Sequence, residues 1–474
     1  MATARRAMDG LTGLGAAELA RRIRAGDASP LEIVEMHIAR IREIEPQVNA
    51  LVTAAFDTAT STARRLTEGG IPTDPPPLWG VPVTVKDAIA VAGMRFTAGS
   101  NQLREHVADR DAEAVRRLRE AGAIILGKSS CSEMSGSPET DNPVVGLTRN
   151  PWNADRSAGG SSGGEAAIIA GGGSPLGLGS DIAGSIRVPA AFCGVVGLKP
   201  TPGRIPTEGH VPESPSALAG WNTVGPLARR VEDLRLALSV LSASPAPADP
   251  LPPLADRRVL LPPAVVGPPV SREVADTVRD AAGVLGATGM SVRRRAALPM
   301  TRTALETTAV LHRHWLPSYR RSLGGGRPVA VWRELTRRRQ GNAGTVPASL
   351  APVAIISSAG LLVRAMGFGR AGHLGELRSR FLDEMRGGAL LLLPVFPTTA
   401  RRHGFSWGPY GGLGLTAIFN ALGLPAVSVP VGLSDDGLPL AVQIVAGPGE
   451  DEAGLAAAAV LEREFGGWRM AMQG

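Results

Sequence analysis

Two glycine- and serine-rich segments constrain this chain more than anything else in it. Gly159-Gly-Ser-Ser-Gly-Gly164 is followed, after an apolar stretch, by Gly179-Ser-Asp-Ile-Ala-Gly-Ser185-Ile-Arg187-Val-Pro189-Ala190. Glycine reaches positive φ without steric cost and lets main-chain N–H groups approach a ligand with no Cβ in the way. Around a serine, that is the backbone an oxyanion hole requires. Either segment alone also fits a surface loop. The region from Trp152 to Pro202 is regularly punctuated by apolar runs, however, so it reads as tight turns within a core and not as a linker.

The flanking sequence has α/β texture. Apolar residues recur at helical spacing from Leu11 to about Ile44, with Ser29-Pro30 as a helix start. Trp79 to Val85 is a short β-like run ending at Lys86-Asp87. A helix over Asp111 to Gly122 leads into a strand at Ala123 to Leu126, the alternation expected of α/β folds. Further helices are expected at Glu165–Ala170, Val231–Leu241, around Phe419–Leu422 and at Glu450–Phe465. Strands are expected at Val195–Leu198, Leu390–Leu393, Ala426–Pro430 and Leu440–Val445. Prolines crowd together from Ser244 to Pro269, which marks a crossing segment. Residues 300–380 are arginine-rich and helical in pattern. The whole chain, 1–474, is read as one domain with these parts.

A serine hydroxyl needs a base to become a nucleophile. None of the seven histidines lies in either glycine-rich segment, and Gly-x-Ser-x-Gly is not formed around Ser185. Lys86, ending an apolar strand, is the remaining candidate, since burial can hold a lysine neutral. Asp181 and Arg187 bracket Ser185 and are suited to pin its loop, by a buried pair or by hydrogen bonds from amides to Asp181. Gly122 to Ser129 matches a phosphate-loop pattern by letters. Its middle residues are themselves the strand, so nucleotide binding is set aside. The histidines lack ligand spacing, His312-Arg-His314 reads as a helical surface pair, and no metal or other cofactor is expected.

Composition removes other classes. Of 50 basic residues only Lys86, Lys128 and Lys199 are lysines, and the arginines are interleaved with Asp and Glu. With 4% aromatic residues, neither a basic face nor a set of stacking platforms for nucleic acid is visible. Two cysteines make no disulfide framework, which favours a reducing, cytoplasmic setting. No run of 18 uninterrupted apolar residues occurs, so membrane insertion is not expected.

With the lone lysine, the double serine and the Ser-Ile-Arg segment together, residues of about 10–245 and 385–465 resemble the amidase-signature family. The resemblance implies an α/β fold with a large mixed central β-sheet flanked by helices on both faces. It implies an activity, hydrolysis of a small carboxylic amide through an acyl-enzyme. By position, Lys86 matches the family's catalytic lysine, Ser185 its nucleophile, and Ser161 the relay serine that follows a cis peptide bond. The backbone N–H groups of Ile182, Ala183, Gly184 and Ser185 match its oxyanion hole, with Gly160, Ser162, Asp181 and Arg187 in support. Ala183 departs from a common glycine, and Ser130 from a common asparagine. The segments Pro394–Ala400, His403–Trp407 and Phe419–Pro425 look nearer to general amidases and fatty-acid-amide-hydrolase-like members than to the glutamine-hydrolysing component of tRNA-dependent amidotransferases. That component and a non-catalytic scaffold of the same fold are the alternatives. Trp315, Tyr319, Trp332 and the apolar Leu350 to Met366 are candidates for an aryl or alkyl acyl pocket. Homodimerisation is common in the family and is carried over as an expectation.

Overall fold

Short apolar runs separated by glycine and proline turns become strands of one mixed sheet. The computed structural model describes residues 10–244, 250–262, 269–294, 297–339, 344–406 and 411–472. The sheet's strands are β1 (Leu51–Ala54), β2 (Pro82–Lys86), β3 (Ile124–Ser129), β4 (Leu176–Asp181), β5 (Val196–Lys199), β6 (Thr223–Ala228), β7 (Arg258–Leu261), β8 (Ser291–Arg294), β9 (Leu390–Pro394), β10 (Ala426–Leu433) and β11 (Pro439–Val445). They lie in the order β1-β3-β2-β4-β6-β5-β10-β11-β9-β7-β8. Strand β2 runs parallel to both β3 and β4. Their carboxyl ends, at Lys86, Ser129 and Asp181, therefore meet at one edge, where open α/β sheets characteristically hold ligands.

Successive side chains of a strand point to opposite faces, and here both faces are covered. Val83, Val85, Leu176, Leu178, Val196 and Leu198 pack with residues of helices Ala16–Ala25, Glu113–Glu120, Val231–Leu241 and Asp451–Phe465. On the other face Leu126 and Leu227 pack with helices Pro30–Val48, Gly163–Ala170 and Arg187–Cys193. Helix Gly163–Ala170 sits so close that a Cβ at Gly177 of β4 would collide with the Glu165 carboxylate.

Local signals place many of these elements. Ser29 Oγ accepts from Glu32 N at 3.1 Å, capping a helix that has Pro30 in its first turn. Strand β3 runs on through Lys128 to Ser129, so the residues of the apparent phosphate loop are extended chain. Lys128 Nζ instead lies 3.6 Å from Asp87 Oδ1 and 3.3 Å from Arg95 O. The proline-rich stretch from Ser244 to Pro269 differs from a plain crossing segment. Its described part contains β7, paired in parallel with β8 and β9, while residues 245–249 and 263–268 lie outside the described residues. Val259 and Leu260 bury fully, and this burial recruits the short run into the sheet despite the prolines around it.

The described residues between 300 and 384 form a helical cap over the carboxyl edge. Leu311, Leu316, Tyr319, Leu350, Val353 and Ile356 cluster with Ala98, Met134, Leu218 and Trp221 from the sheet side. Helix Pro347–Ala365 is long and apolar enough by composition to cross a bilayer, with mean hydropathy 1.6. It buries Leu350, Val353, Ile356 and Val363 in the cap and exposes Leu361 and Leu362, with Met366 exposed just beyond its end.

Candidate active site

Lys86 ends β2 and is fully buried. Its Nζ lies 2.6 Å from Ser161 Oγ and 2.9 Å from Ser180 Oγ, both within hydrogen-bond distance. Burial is the dominant influence and pushes its pKa down from 10.5 to about 8, against the opposing pull of Cys131, Asp181 and Glu165. A resting amine at mildly alkaline pH follows.

Ser161 stands after a cis peptide bond from Gly160. A Cβ at Gly160 would lie 2.5 Å from Ser137 O, so the close approach of two backbones requires glycine there. Ser162 ties the two glycine-rich segments together. Its N–H donates to Ser185 O at 3.2 Å and its Oγ to Ser180 O at 3.3 Å.

The segment from Asp181 to Arg187 wraps around a buried ion pair. Arg187 donates from Nη2 to Asp181 Oδ1 and from Nε to Oδ2, each at 3.0 Å. The same carboxylate accepts from the N–H groups of Gly184 at 2.7 Å and Ile186 at 3.1 Å. Both of the pinning arrangements expected from sequence are thus present. Burial by itself would raise the Asp181 pKa, but Arg187 and these donors hold it well below the usual carboxylate range. Arg187 continues to Asn420 Oδ1 at 2.6 Å and Gln443 Oε1 at 3.0 Å. This network orients the four backbone N–H groups singled out in the sequence. The Gly184 N–H points back to Asp181, whereas those of Ile182, Ala183 and Ser185 have no protein acceptor among the described residues. Gly184 itself has φ +117°, and a Cβ there would lie 2.6 Å from Thr416 Oγ1.

Ser185 opens onto a hollow whose apolar wall includes Val188, Leu311, Trp315, Ile356 and Phe396. A second, more polar arm meets it at Ser185 and Ile182 and is bordered by Ser161, Ser180, His210, Asn222 and Tyr319. Ser161 and Ser185 therefore share one wall, with Lys86 behind Ser161. Of the candidates from the cap, Trp315 and Ile356 line the apolar arm. Tyr319 borders the polar arm and donates to Ser349 O at 3.2 Å. Trp332 is 67% exposed and does not line either arm, because it lies on the outer side of its helix. Trp407 lies outside the described residues. Ser130 Oγ accepts from Asn142 Nδ2 at 3.0 Å, so the serine that replaces a common asparagine is itself held by one.

Sequence reasoning missed Ser180, Glu165 and His210. Glu165 accepts from Thr84 Oγ1 at 2.6 Å and Ser129 Oγ at 2.7 Å, and burial raises its pKa to about 7. His210 Nε2 lies 2.9 Å from Ser180 Oγ. Ser180 lies within the second glycine-rich segment and is detectable as a further hydroxyl beside Asp181, but nothing local to His210 marks it.

The site thus combines an accessible hydroxyl, a lysine that burial favours as amine, and unengaged backbone donors. The sequence profile of amidases matches residues 32–294 and 369–455, a span that holds all three. The chain belongs to the amidase family. It is accordingly a serine amidohydrolase, cleaving the carbon–nitrogen bond of amides. This amidase is 34% identical over 480 residues to fatty-acid amide hydrolase 2-A of Danio rerio, covering 96% of this chain and 89% of that protein. It is 35% identical to a glutamyl-tRNA(Gln) amidotransferase component of Symbiobacterium thermophilum, across 92% of this chain and 94% of that one. The solved structure of 6-aminohexanoate cyclic dimer hydrolase complexed with substrate matches it with a TM-score of 0.77 at 29% identity, covering 96% of this chain and 97% of that chain.

Proposed function

We propose that this amidase hydrolyses small amides with an apolar acyl group, through an acyl-enzyme on Ser185 with Ser161 as relay and Lys86 as base. The observation that carries the reading is the 2.6 Å contact of the buried Lys86 Nζ with Ser161 Oγ, beside Ser185 at the mouth of an apolar hollow. Neutral Lys86 takes the Ser161 proton as Ser161 takes that of Ser185, whose Oγ bonds to the amide carbon. The carbonyl oxygen becomes an oxyanion facing the N–H groups of Ile182, Ala183 and Ser185, while Gly184 holds the loop to Asp181. As the tetrahedral adduct collapses, the proton on Lys86 returns through Ser161 to the leaving nitrogen and the carbon–nitrogen bond breaks. Water, losing a proton to Lys86 through the same relay, then attacks the ester carbon; the relay returns that proton to Ser185 Oγ as the carbon–oxygen bond breaks and the carboxylate leaves.

The leaving nitrogen must face its proton donor, so the amine belongs in the arm that Ser161 borders and the acyl group in the apolar arm. Among the described residues no charged side chain lines that apolar arm. The ammonium and carboxylate of glutamine would be buried there without counter-charges, at a cost of several kcal/mol, which favours an apolar acyl group over the amidotransferase role. The two cysteines are buried and unpaired, which supports a reducing, cytoplasmic setting.

The test is turnover of an acetyl amide, a benzoyl amide, a long-chain acyl amide and glutamine by the wild type, Ser185→Ala and Lys86→Ala. Turnover of the apolar amides that falls by roughly 10³-fold or more in both variants is expected. Activity that survives Ser185→Ala, or glutamine as the preferred substrate, overturns the proposal.

A further inference from the structure

His210 touches neither glycine-rich segment in sequence, yet folding sets it one hydroxyl away from the base. Its Nε2 lies 2.9 Å from Ser180 Oγ, and Ser180 Oγ lies 2.9 Å from Lys86 Nζ. The other ring nitrogen, Nδ1, is 3.2 Å from Pro212 O. A carbonyl oxygen only accepts, so this contact puts the proton on Nδ1 and leaves Nε2 as an acceptor. Asn222 Nδ2 lies 3.3 Å from the same Nδ1; two donors do not pair, so with the proton on Nδ1 the carboxamide is rotated about its terminal bond to present its oxygen to the ring. Ser180 has one proton to give. With Nε2 receiving it, the Ser180 oxygen can only accept from Lys86.

We infer that His210 is a positioning residue that, through Ser180, turns an N–H of Lys86 toward Ser180 and keeps the lysine lone pair aimed at Ser161. This rests on the reading of Lys86 as base. Without an acceptor at position 210, the Ser180 O–H can rotate onto the Lys86 lone pair and compete with Ser161 for it. His210 is itself kept neutral, with burial and the neighbouring Lys86 pushing its pKa down to about 3. The charged and titratable groups that bear on Lys86 are Cys131, Asp181 and Glu165, together with His210. None of the first three touches Ser180 Oγ.

Two consequences distinguish this from a packing role. A misdirected lone pair slows the proton transfer, lowering kcat with KM little changed. A Ser180 O–H donated to the amine also stabilises neutral lysine, so the acid limb of kcat/KM moves to lower pH. The experiment compares His210→Met, which removes the acceptor, His210→Gln, which supplies an amide oxygen, Ser180→Ala and the Ser180→Ala/His210→Met double variant, with Lys86→Ala in the same assay. Expected are a kcat loss of about 10- to 100-fold for His210→Met, a downward-shifted acid limb, partial recovery in His210→Gln, and no further loss when His210→Met is added to Ser180→Ala. Equal losses in Met and Gln variants with an unmoved acid limb, additive losses in the double variant, or wild-type kcat in His210→Met would each overturn the inference. Activity retained in Lys86→Ala would instead bring down the underlying reading of the base.

Discussion

The Asp181 carboxylate and the Arg187 guanidinium meet edge to edge through two hydrogen bonds of 3.0 Å, and both side chains are fully buried. Two residues so close in sequence close a loop around Ser185, and the charge of each is compensated chiefly by the other and by its hydrogen-bond partners. Removing one member leaves an uncompensated buried charge. Arg187→Met is therefore expected to destabilise the fold by about 3–5 kcal/mol, read as a lowered denaturation midpoint in urea. An unchanged midpoint would show that Asn420 and the loop amides suffice to hold Asp181.

As the proposed base, Lys86 must be neutral to accept a proton. With its pKa lowered to about 8, the protonated, inactive form dominates below that pH. The ratio kcat/KM should fall about tenfold per pH unit below the limb and level off above it. A limb close to 10.5 would mean that burial does not tune this lysine.

Gly184 occupies φ +117° with Thr416 against the missing Cβ. Gly184→Ala should cost about 1–3 kcal/mol of stability through backbone strain and displace the neighbouring donors. Amide turnover should then fall much more than substrate binding does. Equal effects on kcat and KM in steady-state kinetics would argue that the loop absorbs the methyl group.

Ile356 faces the apolar arm from the cap. Ile356→Trp should shorten that arm, lowering kcat/KM for long-chain acyl amides by about 10- to 100-fold and leaving acetyl amides near wild type. Uniform loss across chain lengths in a competition assay would place the acyl group elsewhere.

Much of the architecture is legible because its signals are local. The Ser29-Pro30 start, the Val231–Leu241 helix and the strands near 83, 125, 391, 428 and 442 follow from a capping residue, helical periodicity and short apolar runs bounded by turn residues. Strands β4 and β6 are buried along their whole length as β2 and β3 are, but Gly177, Gly179, Gly225 and Pro226 break up the apolar run by which the latter two are found. Strand β7 is hidden for another reason, since its neighbouring prolines dominate the composition while burial of Val259 and Leu260 decides the structure.

The sequence by itself determined the chemistry available to this amidase: a lone lysine at a strand end, two serines in glycine-rich turns, and an acid–base pair bracketing one of them. Residue identity and turn propensity suffice for that, because each is expressed within a few residues. Only the tertiary structure decided how these groups act on one another. Lys86 reaches Ser161 across 75 residues of chain, His210 joins through Ser180, and the Gly184 N–H turns to Asp181 instead of the pocket. The cap decides that Trp315 faces the hollow and Trp332 faces outward. Such pairings carry no period or spacing. They arise when parallel strands bring their carboxyl ends together and burial removes the water that would otherwise compete for each hydrogen bond.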